Sequence, residues 1–358
     1  MKPSFEVSET RLPANKRRKS KCVRTARGAG AQAYAPENAQ AQNQRKGSRR
    51  RIPEYEILPC ISSGMEAVRD GVIQSSACMR APLARRLDER MYVALVNERA
   101  RVLENECVGP NLHVATLSSP AIAAGIEPGQ FVHMKIPGMD DHVLRRPFSV
   151  YARDAEAGVL EILYQVVGFG SARMTELAAG AEGVELIGPV GRAWQPPAEA
   201  KRALLVGGGV GAAPLFMLCE ALVKNGVRTD VVLGAQTETA LACRGRYEAL
   251  LAEPPRCATD DGSFGREGFC TSLVQESIEE AARAGEPYGY VAVCGPEPLM
   301  KIVAGMADDA DIFCELSMER RMACGIGACL SCVVDTVEGK KRACVDGPVF
   351  KAQEVVWA

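Results

Sequence analysis

"LLVGGGVGAAPLF", residues 204–216, runs from aliphatics of buried-strand type through a cluster of glycines into an apolar helical pattern. Gly207, Gly209 and Ala212 stand in a G-x-G-x-x-A arrangement between that strand and that helix. Glycines there allow a tight turn and let a pyrophosphate approach the backbone, while the helix N-terminus adds partial positive charge. Gly208, Gly211 and Pro214 belong to the same predicted nucleotide loop. Beyond it come a helix in "APLFMLCEALVKNG", a strand in "RTDVVLGAQ", a helix in "LVQESIEEAARAG" and a strand in "YVAVCGP". Strands alternating with helices predict a doubly wound parallel sheet over residues 199–309. The second strand leads into "GAQTETALACRGR", which has no clear acidic residue for a ribose at its end, and Arg244 and Arg246 can face a 2′-phosphate. This logic leaves NAD and NADP undecided.

Upstream, residues 91–198 read differently. Short alternating runs, among them "GQFVHMKIP", "RRPFSVYAR", "VLEILYQVV" and "EGVELIGPVG", are separated by Gly and Pro as antiparallel strands are. Five or six strands in about 100 residues predict a small barrel or sandwich. Within it, "HVLRRPFSVY" offers Arg146 to a pyrophosphate and Ser149 to a ring nitrogen. "LYQVVGFGSARMTEL" offers a second phosphate turn at Gly170 and Ser171.

Downstream, Cys324, Cys329, Cys332 and Cys344 run C-x4-C-x2-C-x11-C. The first two intervals match plant-type [2Fe–2S] spacing. Gly325, Gly327, Ala328 and Ser331 are small, so the loop can wrap closely and aim N–H groups at sulfides. Zinc usually takes C-x2-C pairs and often histidine, and His113, His133 and His142 all lie far away in sequence. The spacing favours a cluster over zinc, and a disulfide framework is the weakest reading for a chain in a reducing compartment.

The 358 residues are 47% apolar and 24% charged, ordinary for a soluble protein. Charge is unevenly divided: residues 1–90 carry 19 Lys and Arg against 9 Asp and Glu, the rest 24 against 35. "KRRKSKCVRTARGAGAQAYAPENAQAQNQRKGSRRR" has no apolar period, so residues 1–90 are expected to be a disordered extension or to precede a native start at Met91. The N-terminus shows no apolar signal region. A long uncharged run, residues 203–219, contains four glycines and a proline and falls short of the roughly 20 apolar residues a membrane helix needs. A cytoplasmic protein without membrane segments is expected, with nucleic acid an unfavoured partner.

The order of "PGQFVHMKIP", "LRRPFSV", "YQVVGFGS", "GPVGRAW", "GGGVGAAPL", "TDDGSFGREGFCT", "CGPEPLM", "ERRMACGIGACLSCVV" and "KRACVDGPVF" resembles the electron-transfer subunits of NAD-linked dihydroorotate dehydrogenase, in the ferredoxin-reductase superfamily. The resemblance covers roughly residues 91–358 and is most specific in the cysteine segment. It implies an antiparallel FAD-binding barrel (91–198), an NAD-binding α/β domain (199–309) and a small [2Fe–2S] lobe (310–358). FAD contacts carried over are Arg146, Pro147, Phe148 and Ser149, then Leu163, Tyr164 and Gln165, then Gly170 and Ser171. Phe148 and Ser171 depart from the family's usual residues at their positions. Cys294, followed by Gly295 and Pro296, is expected beside the nicotinamide as the catalytic group.

The implied role is to pass electrons from an FMN-containing catalytic subunit, in a heterotetramer of two of each chain, through the cluster and FAD to NAD+, in pyrimidine (UMP) biosynthesis. Met322 and Phe350 are the expected apolar contacts with that partner. No region is long enough for a second, FMN-holding barrel of roughly 250 residues, so the chain should not oxidise dihydroorotate alone. Two other readings stand beside this one. The first is the reductase subunit of a sulfide dehydrogenase, hydrogenase or NADPH:ferredoxin complex, and the second a zinc-binding adaptor with a basic nucleic-acid arm.

Overall fold

The computed structural model describes residues 95–357, so the expected N-terminal extension, residues 1–90, lies outside the described residues. Seven antiparallel strands come first: β1 (Val96–Gly109), β2 (Leu112–Ser118), β3 (Phe131–Lys135), β4 (Arg146–Ser149), β5 (Ala152–Asp154), β6 (Val159–Gln165) and β7 (Val184–Val190). Two short helices, α1 (Pro120–Gly125) and α2 (Phe169–Met174), interrupt them. The order β4-β3-β7-β1-β2-β6-β5 makes a half-barrel around Val102, Leu117, Val132, Met134, Ile162 and Leu186. Its edge strands β4 and β5 are not paired with each other, so the barrel is open. Side chains alternate across a strand, and along β3 this sorts them cleanly. Val132 and Met134 fill the half-barrel, while Phe131 joins the core on the other side.

From Arg202 the chain becomes β/α. Strands β8 (Arg202–Gly208), β9 (Arg228–Ala235), β10 (Arg256–Thr259), β11 (Arg266–Glu267), β12 (Tyr290–Cys294) and β13 (Cys314–Ser317) alternate with helices α3 (Ala213–Lys224), α4 (Arg244–Leu250), α5 (Thr271–Arg283) and α6 (Glu297–Asp309). Helix α3 is apolar nearly all round because it is buried between the sheet and the half-barrel. Phe216 on α3 meets Tyr151 at 5.2 Å between ring centroids.

A hairpin of β14 (Val333–Thr336) and β15 (Gly339–Arg342) follows, and β16 (Val349–Lys351) then returns antiparallel onto β13, with Leu316 opposite Phe350. The second sheet thus has the order β11-β10-β9-β8-β12-β13-β16. The small C-terminal cysteine-rich lobe is thus carried between β13 and β16, which complete the nucleotide sheet. One expectation is altered. Phe350, expected at a partner surface, is 3% exposed and packs with Leu316 and Cys344 in the core, while Met322 is partly buried against the same core.

Glu315 on β13 is buried, accepting hydrogen bonds from the Tyr290 hydroxyl at 2.7 Å and the Gln195 amide at 2.8 Å. Burial holds its carboxyl above the usual range, against the opposing pull of those two hydrogen bonds. The folded state therefore keeps a proton that the unfolded chain releases near pH 4.3, and stability falls as pH rises through the raised value. Glu315→Gln should flatten that decline, read as melting temperature against pH. Glu315→Leu should instead destabilise by about 1–3 kcal/mol for each partner left unpaired; a melting temperature equal to the parent's would contradict the assignment.

Candidate cofactor and electron-transfer site

The strand order reverses between β8 and β12, and in open α/β sheets ligands bind outside the carboxyl ends of the strands at such a point. Cys294 and Gly207 are register partners there. Two turns interlock so closely that only glycine fits. A Cβ at Gly211 would stand 2.5 Å from the Cys294 carbonyl oxygen, and one at Gly295 3.0 Å from Gly208 Cα. Pro296 and Leu299 close over Gly208 in the same way. Pro214 begins α3, and its carbonyl accepts a hydrogen bond from Trp194 Nε1 at 3.3 Å. A narrow cleft runs from Gly207 and Gly209 to Leu112 and Leu163 of the half-barrel. The predicted nucleotide loop and the "CGP" turn thus pack against each other.

Cys294 is half-buried, and burial pushes its thiol up to about 12. It donates a long hydrogen bond, 3.7 Å, to the Ser317 carbonyl. At neutral pH it is a neutral thiol, unsuited to act as thiolate or base. Arg244 pairs with Glu238 and Glu248 and lies 3.9 Å over the Phe264 ring. Arg246 pairs with Glu161 of β6 at 2.6 Å. Both guanidinium groups are thus paired with acids.

The flavin motif comes together across the half-barrel edge. A Cβ at Gly170 would lie 2.9 Å from Arg146 Nε, so β4 and the start of α2 meet as the two phosphate turns require. Arg146 also donates to the Leu144 carbonyl. Its neighbour Arg145 is committed elsewhere, to the Glu185 carboxylate at 2.8 Å. The Ser171 hydroxyl does not face outward. It accepts from the amides of Val167 and Gly168 at 2.9 and 3.1 Å and donates to the Gly168 carbonyl, building the turn itself.

Tyr164 likewise turns inward, its hydroxyl donating to Asn105 at 3.0 Å, and burial raises it to about 12. Only its backbone is available to a cofactor. Phe148 lies edge-on to Tyr164 at 6.1 Å, partly buried, while Gln165 is exposed and Leu163 buried toward the nucleotide cleft. Pro147 and Ser149 sit opposite His133 and Phe131 on β3. A cradle with Arg146 and a glycine that admits it fits an FAD pyrophosphate.

Of the four C-terminal thiols, Cys324 acts electrostatically on Cys329, and both Cys332 and Cys324 act on Cys344. Among the described residues no three His, Cys, Asp or Glu side chains are close enough to hold a single metal ion. The Ile326 amide donates to Cys324 Sγ at 3.5 Å. Hydrogen bonds from the Ser331 side chain and backbone, with Cys324 beside it, bring the Cys329 thiol down to about 6. Burial first, and then Cys332, push Cys344 up to about 12. Gly325 and Gly327 take φ of +68° and +83°, a region that glycine enters freely. Leu330 adopts φ +57° without that freedom. This donor set fits an iron–sulfur cluster with one exposed thiol, Cys329, and two buried ones, Cys332 and Cys344.

Three family models match in chain order. They are an oxidoreductase FAD-binding domain over residues 99–194, an oxidoreductase NAD-binding domain over 205–305, and the iron–sulfur cluster binding domain of dihydroorotate dehydrogenase B over 319–356. The dihydroorotate dehydrogenase B (NAD(+)) electron transfer subunits of Desulforamulus reducens and Bacillus caldolyticus are 37% and 36% identical to this chain. Those alignments cover 72% of this chain and 97% and 98% of the relatives. The chain belongs to this family. It is an oxidoreductase electron-transfer subunit with FAD-, NAD- and iron–sulfur-binding domains.

A solved NADH-dependent reduced ferredoxin–NADP oxidoreductase superposes with TM-score 0.63 at 26% identity, covering 72% of this chain and 89% of that one. The ferredoxin reductase in carbazole 1,9a-dioxygenase, at TM-score 0.52 and 20% identity, covers 61% of this chain and 67% of its own and shares the fold. The family match leaves the zinc-adaptor reading without support.

The sequence reading missed His133, which the fold carries to the cysteine turn, and the tethering of Arg246 to Glu161. For the cradle, Arg146→Ala should weaken FAD retention by about 1.5–3 kcal/mol, the worth of a charge-assisted hydrogen bond. Unchanged FAD occupancy on gel filtration would contradict it. Gly211→Ala forces a methyl onto the Cys294 backbone and should raise the KM for NADH at least severalfold while FAD stays bound; an unchanged KM would place the nucleotide elsewhere.

Proposed function

We propose that this subunit draws electrons from an FMN-containing dihydroorotate dehydrogenase catalytic subunit, in a heterotetramer of two of each chain, and delivers them to NAD+ in cytoplasmic pyrimidine biosynthesis. The observation that carries the reading is the placement of the thiols. Cys329 stands exposed on a loop whose other end, at Cys332 and Cys344, is sealed against the core shared with Phe131 of β3. Electrons taken from a partner enter at this loop and leave at the β8–β12 crevice. When bound, a [2Fe–2S] cluster supplies one-electron chemistry, the nicotinamide two-electron chemistry, and FAD the exchange between them.

The residues divide accordingly. Cys324, Cys329, Cys332 and Cys344 would hold the cluster. Arg146 and the Gly170–Ser171 turn would fix the flavin pyrophosphate. Gly207–Gly211, Gly295 and Pro296 would admit the nicotinamide nucleotide, with Cys294 as a neutral wall of that pocket. Ile326 and Leu330, 52% and 64% exposed on the cysteine loop, replace Phe350 as the apolar groups that meet the partner.

No described helix is long and apolar enough to cross a membrane. A ferredoxin-linked reductase is the second reading, favoured by the 26% identity to the ferredoxin–NADP oxidoreductase. Cys329→Ser decides between a cluster-dependent path and any other. It should abolish electron flow from dihydroorotate through the reconstituted complex while NADH oxidation by an artificial two-electron acceptor persists. Loss of that acceptor activity, with FAD bound and the fold intact, would contradict the proposed order. Turnover with ferredoxin but none with the catalytic subunit would favour the second reading.

A further inference from the structure

His133 is wholly buried, and the backbones of Cys324 and Arg145 lie close enough to act on its ring as hydrogen-bond partners, although neither meets a ring nitrogen at full hydrogen-bond geometry. Buried polar groups are normally paired, and an orphan in a native fold calls for an explanation. Alternation along β3 places His133 on the face away from the half-barrel core, opposite Pro147 of the flavin motif. Lying over that face is the first cysteine turn. A Cβ at Gly325 would be 2.3 Å from His133 Nδ1 and 2.8 Å from Cγ, so the backbone of the turn rests directly on the ring. An aliphatic side chain would fill this space with no polar cost. An imidazole there demands a polar partner, and the group that sits over Nδ1 is the Cys324–Gly325 turn.

We propose that His133 is a positioning residue for the electron-transfer reaction, its ring nitrogen reserved for a hydrogen bond to the Cys324–Gly325 turn, which it ties to the strand pair carrying the flavin motif. This rests on Cys324 being a cluster ligand. Outer partners of this kind orient metal ligands, and hydrogen bonds near the sulfurs help set the potential of an iron–sulfur centre. Removing the bond destabilises the more negative, reduced form, so the potential should fall.

The test compares His133→Leu and His133→Asn in the full chain assembled with its catalytic subunit. FAD, iron and sulfide contents are measured first, then the EPR spectrum and midpoint potential of the centre in a redox titration. His133→Leu should keep its FAD while the EPR signal shifts. The ratio of reduced to oxidised centre at the parental midpoint should fall about tenfold, equivalent to about 59 mV for one electron. His133→Asn, which presents an N–H where Nδ1 stands, should restore both toward the parent.

Iron lost from the Leu variant and regained in the Asn variant supports the proposal equally. A parental spectrum and potential in His133→Leu would overturn it, as would equal displacement in both variants, which is the signature of packing alone. If His133→Leu does not fold, His133→Asn decides: parental values support the proposal, and displaced values with FAD retained overturn it. A parent chain without iron is a different failure, which removes the ligand assignment and this proposal together.

Discussion

A short antiparallel ladder holds the functional parts of this protein in place. β16 lies on β13 with Glu315 opposite Lys351, Leu316 opposite Phe350 and Ser317 opposite Val349. The chain between these strands carries all four C-terminal thiols, so the ladder ties both ends of the cysteine segment to one edge of the nucleotide sheet. That edge would otherwise present unpaired backbone groups. Closing it in this way means that the loop cannot move as an independent domain, and the remaining contacts then fix where it lies. Pro348 bridges to Arg192 at the end of the half-barrel, and the Arg192 amide donates to the Gly347 carbonyl at 2.5 Å.

The consequence is one shared frame for two kinds of chemistry. The core on one face of the sheet contains Phe131 and Val190 of the half-barrel, Val293 of β12, and Cys332 and Cys344. The core on the other face contains Tyr151 and Leu163 of the half-barrel with Leu205 and Phe216 of the nucleotide domain. Cofactors bound at the three places are therefore held by a continuously packed scaffold. Arg246, paired with Glu161 and lying 4.7 Å over the Tyr151 ring, reinforces the join between half-barrel and nucleotide sheet.

What could be read in advance follows a physical division. The glycine turn at residues 207–211 and the strand–helix alternation are local signals, and the fold bears out each element they predicted, while the cysteine spacing falls within the iron–sulfur-binding family match. Contacts between distant segments left no such trace. Nothing in "GQFVHMKIP" says that His133 will lie under Gly325, because that depends on how β3 is placed against the loop. The same holds for Arg145 and Arg146, adjacent in sequence but separated in role by strand alternation and by Glu185. Phe350, a few residues beyond the last cysteine, looked available to a partner, yet its strand completes a sheet and buries it. Ser171 had the expected hydroxyl, but the turn uses it internally.

The central claim is that this chain carries electrons for a separate catalytic subunit and does not itself act on dihydroorotate. Anaerobic addition of dihydroorotate, followed by visible absorption of flavin and cluster, tests it directly when done on the chain alone and on the chain with its partner, without NAD+ in either. The account predicts no bleaching of the chain alone and bleaching of both chromophores in the assembly. Bleaching of the flavin in the isolated chain would contradict it.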